Sequence, residues 1–165
     1  MRDSLKILLY GYGNPGRQDD GLGVEFVNRM EKWVCQLGLK GFEFDNNYQL
    51  NIEDAEAIKD KDLVVFADAS EEKISNFCFT KVNKSSKVSF TTHSASPGYI
   101  VKLCEELFNS KPLVLLLHIK GYSWEFHEGL TEKAENNLKI ALDYFQKKLK
   151  HPEKIINTLN DWKLC

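Results

Sequence analysis

Short apolar segments that alternate with helix-like patterns constrain the fold of this chain most. Residues 5–10 (LKILLY), 63–67 (LVVFA) and 113–119 are the clearest of these segments. They are too short for helices of ordinary length, and runs of this kind are typical of strands that are buried on both faces. They therefore predict the central strands of a parallel sheet that is covered by helices.

Helical patterns occupy the intervals between these segments. The stretch that opens at Asp19 or Asp20 has apolar residues at three- and four-residue steps up to Leu37, and Gly38 follows as a typical helix end. Three further helices are predicted from the same spacing and from their first residues. They are residues 51–59 with Asn51 as N-cap, residues 97–108 with Pro97 in the first turn, and residues 131–148 with Thr131 as N-cap.

Two more strands complete the predicted sheet. Residues 41–45 and 76–82 both alternate apolar and polar side chains, and residues 83–92 are polar enough for a loop. We therefore predict the α/β class: a three-layer α/β/α sandwich with a mostly parallel, twisted central sheet of about five strands. Residues 1–165 are expected to form one domain, in which residues 151–165 are a mobile tail or a docking segment.

Composition excludes several classes of function. The chain of 165 residues has 22 basic and 24 acidic residues, so its net charge of −2 gives no basic surface for nucleic acid or anionic membrane. The chain has neither an apolar stretch long enough to span a bilayer nor a signal peptide, so we expect a cytoplasmic protein.

The four cysteines show no metal-ligand spacing and are expected to stay reduced. Cys35, Cys78 and Cys104 lie among apolar residues and are expected in the core, whereas Cys165 ends the chain and is expected to be mobile.

The glycine-rich turn after the first strand resembles two known motifs but fits neither. Residues 11–16 match the G-x-G-x-x-G pattern of dinucleotide sites, but Asp19 and Asp20 would repel a pyrophosphate at the following helix. The Gly-Asn-Pro-Gly tetrapeptide is similar to the opening of peptidyl-tRNA hydrolases, but the histidine segment that follows it there is absent. A tight turn that needs the conformational freedom of glycine is the remaining interpretation.

Three polar residues follow predicted strands and are expected to meet at one edge of the sheet. Asp20 comes after the turn, Asp68 stops the strand 63–67, and His93 follows the polar loop. Ligands of open α/β sheets bind at the carboxyl ends of the strands, and two carboxylates with one imidazole suit Zn²⁺ or Ni²⁺. The alternatives stay open at this point: helix caps for Asp19 and Asp20, a turn residue for Asp68, and a structural histidine for His93.

The other histidines are less naturally placed at a strand end. His118 is expected to be a hydrogen-bonded core residue within its strand, His127 lies in the loop before the last long helix, and His151 lies in the tail.

The motifs around these residues resemble those of hydrogenase maturation endopeptidases, which are aspartic-type peptidases. Residues 8–14 (LLYGYGN) with 19–23 (DDGLG), residues 64–69 (VVFADA) and residues 92–97 (THSASP) are similar to three motifs of that family, in the same order. Two further stretches resemble the branch that acts on bidirectional or NAD-linked [NiFe] hydrogenases. They are residues 48–55 (YQLNIEDA) and 129–131 (GLT).

This resemblance implies an enzyme that removes a C-terminal peptide from the nickel-loaded large-subunit precursor of a [NiFe] hydrogenase. It implies a hydrolase-like fold, no organic cofactor, and nickel that is recognised in the substrate by Asp20, Asp68 and His93, which would also be the catalytic residues. Zinc or cadmium can take the same ligands. Many relatives have Glu where this chain has Asp20, while Asn14 and Asp45 are second-tier candidates.

The implied partner is the precursor alone, with neither nucleic acid nor membrane, and the protein is expected to be a monomer. A nickel-sensing chaperone that does not cleave is the main alternative, and a peptidyl-tRNA hydrolase-like esterase is a weaker one.

Overall fold

The computed structural model describes residues 5–85 and 95–165, which form a five-stranded sheet in the order β2-β1-β3-β5-β4. Strands β2, β1, β3 and β5 are parallel, and β4 lies antiparallel to β5 at one edge. The strands are β1 (Ile7–Tyr12), β2 (Phe42–Asn47), β3 (Leu63–Ser70), β4 (Phe77–Lys81) and β5 (Leu113–Lys120). The mostly parallel sheet predicted from the sequence is confirmed.

Helices cover both faces of this sheet. One face packs on the first and last helices through side chains such as Leu9, Val65 and Leu117, and the other packs on the two middle helices through Leu8 and Phe66. The helices are α1 (Leu22–Leu37), α2 (Asp54–Ile58), α3 (Pro97–Phe108) and α4 (Glu132–Leu149). Because successive strand residues point to opposite faces, the uninterrupted apolar runs supply both cores, and the predicted three-layer α/β/α sandwich is confirmed.

Two of the predicted helix starts are confirmed and two are wrong. Ser96 and Thr131 cap α3 and α4 by accepting hydrogen bonds from main-chain N–H groups. Neither Asp19 nor Asp20 caps α1, because a 3₁₀ segment (Pro15–Gly21) precedes that helix and Gly21 is its N-cap. Asn51 does not cap α2 either, because that helix begins at Asp54 and Glu53 is its N-cap.

The strand that carries Asp68 is longer than predicted. Strand β3 continues through Asp68 to Ser70, and its last residues pair with His118 to Lys120 of β5. Asp68 is therefore a residue within the sheet and not the turn residue that ends the strand.

The C-terminal residues return to the sheet and correct the prediction for the cysteines. Leu164 forms a parallel bridge with Phe79 of β4, Trp162 is buried against the core, and a disulfide joins Cys78 to Cys165. The predictions that Cys165 is mobile and that Cys78 is a free thiol are therefore wrong. The disulfide joins these two residues, which lie 87 positions apart in the sequence. Cys104 is buried as predicted, whereas Cys35 is exposed on α1.

The polar loop predicted for residues 83–92 is described only up to residue 85. Residues 83–85 have no regular secondary structure, and the remainder of that loop, with His93, lies outside the described residues. Over the two described stretches, none of the helices is long and apolar enough to cross a membrane.

The disulfide is expected to stabilise the fold, because it closes a long loop and restricts the unfolded chain. Cys165→Ser should lower the free energy of unfolding by about 2–4 kcal/mol under oxidising conditions. Reductant should lower the stability of the unchanged protein to the same level, as measured by urea unfolding. Cys35→Ser is the matched control and should not change the free energy of unfolding. An unchanged free energy of unfolding of the wild-type protein on addition of reductant would contradict the prediction.

Candidate functional site

The 3₁₀ segment after β1 presents Asp20 at the carboxyl end of the sheet. The side chain of Asn14 accepts a hydrogen bond from the N–H of Gly16 at 2.9 Å and so caps the segment. The N–H of Asn14 donates in turn to Oδ2 of Asp20 at 2.8 Å. Asn14 therefore acts on Asp20 through its main chain, while its side chain shapes the turn.

Two glycines allow close packing within this turn and between the start of α1 and β3. Gly13 has φ +135°, and a Cβ atom there would lie 2.1 Å from the carbonyl oxygen of Asp20. A Cβ atom on Gly23 would lie 2.1 Å from the carbonyl oxygen of Ala67. Both distances are far below van der Waals contact, so only glycine permits this approach. The start of α1 consequently rests on β3, beside the residue that precedes Asp68.

Asp20 is near enough to Asp68 to affect its pKa. Burial, and next to it the negative charge of Asp20, raise the pKa of Asp68 to about 7. The N–H of Ala69 and the hydroxyl of Tyr12 oppose this shift by donating hydrogen bonds to the carboxylate. A carboxyl group that titrates near neutrality beside a second carboxylate can take up and release a proton, and such pairs are common at functional sites.

Tyr12 is the site residue that sequence reasoning missed. Its phenol donates to Asp68, and its pKa is raised well above the usual value by burial and by the charge of Asp68. Two residues earlier on the same face of β1, the hydroxyl of Tyr10 donates to buried Asp54 at 2.9 Å. A signal was available, because tyrosines at alternate positions of a buried strand need hydrogen-bond partners on one face.

The remaining candidates among the described residues make their hydrogen bonds to other groups. Asp45 is exposed on edge strand β2 and accepts a hydrogen bond from the N–H of its neighbour Asn46. His118 is the register partner of Asp68 on β5, and its Nε2 is bonded to the hydroxyl of Thr80 at 2.9 Å. Burial lowers the pKa of His118, so it is predominantly neutral at neutral pH. His127 is exposed on the loop before α4.

The pair of carboxylates suits part of a divalent metal site. In residues 5–85 and 95–165, no group of three or more His, Cys, Asp and Glu side chains is arranged to hold a metal ion. Asp20 and Asp68 supply two oxygen donors of the predicted set, and its third member, His93, lies outside the described residues. Two carboxylates alone leave most positions around a metal ion to ligands from another molecule.

The close approach at Gly13 can be tested by adding one methyl group. Gly13→Ala should destabilise the protein by about 3 kcal/mol, because the methyl group collides with the main chain of Asp20 and φ is positive. Gly38→Ala is the matched control, since Gly38 also has positive φ (+65°) but has no atom within 4 Å of the added Cβ. Gly38→Ala should lower the free energy of unfolding by only about 1 kcal/mol. Equal losses in urea unfolding would contradict the packing argument.

The raised pKa of Asp68 predicts a dependence of stability on pH. The folded state keeps the proton of Asp68 up to about pH 7, whereas the unfolded chain releases it near the ordinary pKa of 3.8. The folded state thus binds more protons, and stability falls as pH rises through this window, by up to about 1.4 kcal/mol per pH unit.

Asp68→Asn should remove this fall in the free energy of unfolding, measured from pH 4 to pH 8. Asp143→Asn, which changes an exposed carboxylate on α4, should retain it. An unchanged slope in Asp68→Asn would show that Asp68 is not the group responsible.

Comparison with known proteins gives matches among solved structures. Comparison with family models and with curated proteins gives none. The [NiFe] hydrogenase maturation protease HycI from Thermococcus kodakarensis KOD1 has 22% identity and a TM-score of 0.70, over 89% of this chain and 94% of its own. The hydrogenase maturating endopeptidase HybD from E. coli has 21% identity and a TM-score of 0.66, over 91% and 94%.

The solution structure of an endopeptidase from Escherichia coli has 20% identity and a TM-score of 0.64, again over 91% and 94%. These similarities do not support the assignment to the bidirectional or NAD-linked branch. They extend over nearly the whole of each chain, and the protein therefore has the fold of the hydrogenase maturation proteases.

Proposed function

We propose that this protein is an endopeptidase that removes a C-terminal peptide from the nickel-loaded large-subunit precursor of a [NiFe] hydrogenase. The observation that carries the proposal is the juxtaposition of Asp20 and Asp68 at the carboxyl end of a sheet whose fold is that of hydrogenase maturation proteases. The order of the sequence motifs around these residues supports the same activity.

Nickel belongs to the substrate in this proposal. Asp20 and Asp68, with His93, contact the metal that the precursor carries, and the precursor supplies the other ligands. A site that is completed only by a loaded precursor distinguishes it from the metal-free form, so cleavage follows metal insertion. Zinc or cadmium, which accept the same donors, are the expected substitutes in binding experiments. Asn14 has a supporting role through its bond to Asp20, whereas Asp45, exposed on edge strand β2, stays a second-tier candidate.

The two carboxyl groups also provide the proton transfers that peptide hydrolysis requires. Without a metal ion nearby, Asp68 has a pKa of about 7 and is present in both protonation states at neutral pH. The nickel of a bound precursor would displace this proton, and the carboxylate oxygen that does not contact nickel can then remove a proton from water and return it to the leaving amine, which is general acid–base catalysis. The phenol of Tyr12 holds the carboxyl group of Asp68 in place during this exchange.

The proposal includes action as a monomer in the cytoplasm, with the precursor as the only macromolecular partner. Because the cytoplasm keeps thiols reduced, the Cys78–Cys165 pair would be open there. The processing assay is therefore run both with and without reductant.

The test uses the nickel-loaded precursor and its metal-free form, each incubated with the protein and measured by mass spectrometry. We expect loss of a C-terminal peptide from the loaded form only. Binding without a change of mass would replace the proposal with a nickel-sensing chaperone. Cleavage of peptidyl-tRNA in place of the precursor would replace it with an esterase.

Variants of the three proposed site residues sharpen this test. Asp20→Ala, Asp68→Ala and His93→Ala are each expected to reduce processing by at least about a thousandfold, because each removes a group that contacts the metal or the reacting atoms. Asp143→Ala removes an exposed carboxylate on α4 and should process normally. Circular dichroism checks that each variant is folded, and full activity in any of the three would remove that residue from the site.

A further inference from the structure

Asp19 is a buried carboxylate whose role the proposed reaction does not explain. Its side chain is completely inaccessible to solvent, and a charge in such a place is costly unless hydrogen bonds compensate it. Oδ2 accepts hydrogen bonds from the N–H groups of Tyr122 and Ser123 at 2.7 and 3.1 Å, and from the hydroxyl of Thr131 at 2.8 Å. Oδ1 accepts one from the N–H of Thr131 at 2.8 Å.

These four bonds join the 3₁₀ segment to the loop between β5 and α4, residues 121–131. Main-chain bonds reinforce the junction, since the N–H of Asp19 donates to Ser123 and that of Gln18 donates to His127. Gln18 has φ +45° and ψ −113°, a conformation that a residue with a side chain adopts only when its surroundings impose it. The loop therefore determines the path of the chain immediately before Asp20.

Asp20 is consequently held from both sides. The bonds of Asp19 and Gln18 to the loop fix the main chain that precedes it, and the N–H of Asn14 holds its carboxylate. A change at Asp19 would therefore move Asp20 without touching its side chain. The N–H of Asn14 reports such a movement, because its only described acceptor is Oδ2 of Asp20.

We propose that Asp19 is the positioning residue for Asp20: its buried carboxylate ties the 3₁₀ segment to loop 121–131 and so sets the place from which Asp20 acts. The consequence for catalysis rests on the proposed function, whereas the consequence for the position of Asp20 does not. The experiment therefore has one arm without substrate and one with it.

The first arm measures amide hydrogen exchange in Asp19→Asn. Asparagine has only one acceptor oxygen. Its NH₂ group would therefore face N–H donors that bond to a carboxylate oxygen of Asp19 in the unchanged protein. We expect the protection of the Tyr122, Ser123 and Thr131 amides to fall. If Asp19 positions Asp20, the protection of the Asn14 amide falls with them, by about tenfold.

Asn137→Ala is the matched control for a loosened loop. Asn137 is also buried, and its Nδ2 donates to the carbonyl of Lys120 and to the hydroxyl of Tyr122, both at 3.0 Å. This variant removes hydrogen bonds between α4 and the start of the loop, and it changes none of the hydrogen bonds between the loop and the 3₁₀ segment. Its Asn14 amide should remain protected. Unchanged protection of Asn14 in Asp19→Asn, or an equal loss in Asn137→Ala, overturns the proposal.

A milder variant covers the case in which Asp19→Asn does not fold. Thr131→Val removes the hydroxyl that donates to Asp19, together with the cap of α4, while Thr131→Ser retains both bonds. Exchange at Asn14 should be faster in the valine variant than in the serine variant. Equal exchange in the two overturns the proposal.

The second arm measures processing of the nickel-loaded precursor by Asp19→Asn. We expect kcat/KM to fall by about tenfold or more, because a displaced Asp20 contacts both the substrate's nickel and the reacting atoms less well. Unchanged kcat/KM in a variant whose Asn14 amide has lost protection overturns the positioning role. If the unchanged protein does not cleave the precursor, the proposed function fails and the exchange measurements still decide where Asp19 acts.

Discussion

The contact between the start of α1 and the end of β3 is the constraint on which the site depends. Gly23 lies against the carbonyl of Ala67 at a distance that no other residue allows, and Gly13 lies equally close to the carbonyl of Asp20. These approaches hold the 3₁₀ segment and the start of α1 close to the sheet, where the charge of Asp20 raises the pKa of Asp68. The glycine-rich turn thus has a different purpose from the phosphate cradle that its spacing suggests, since it brings one carboxylate to another.

Bringing two carboxylates together is unfavourable for folding, and the surrounding groups show how the cost is limited. Asp68 responds to burial and to the charge of Asp20 by holding its proton up to about pH 7. Asp20 instead receives the N–H of Asn14. Under the proposed function, a cation brought by the substrate would displace the proton of Asp68 and relieve the repulsion between the two carboxylates.

The architecture could be predicted from the sequence because the spacing of apolar residues and the length of each segment distinguish strands from helices. The uninterrupted run 63–67 indicates a strand that is buried on both faces, and Pro97 and Thr131 lie where the starts of two helices are expected. It was insufficient where a side chain serves a distant partner. Asp19 has the form of a helix cap but bonds to residues more than a hundred positions away, and Cys165 pairs with Cys78 only because the last residues return to β4. Such contacts depend on the folded chain and leave no local periodicity.

The two tyrosines of β1 show how one pattern serves both structure and site. Tyr10 and Tyr12 point to the same face, and each donates its phenol to an aspartate. The partner of Tyr10 is Asp54, which also accepts the N–H of Asn51 and so secures the segment between β2 and α2. The partner of Tyr12 is Asp68, which has no such structural bond to a neighbouring loop among the described residues and faces the charge of Asp20. The same pairing therefore stabilises the fold at one position and, two residues further along the strand, orients a carboxyl group that remains available for chemistry.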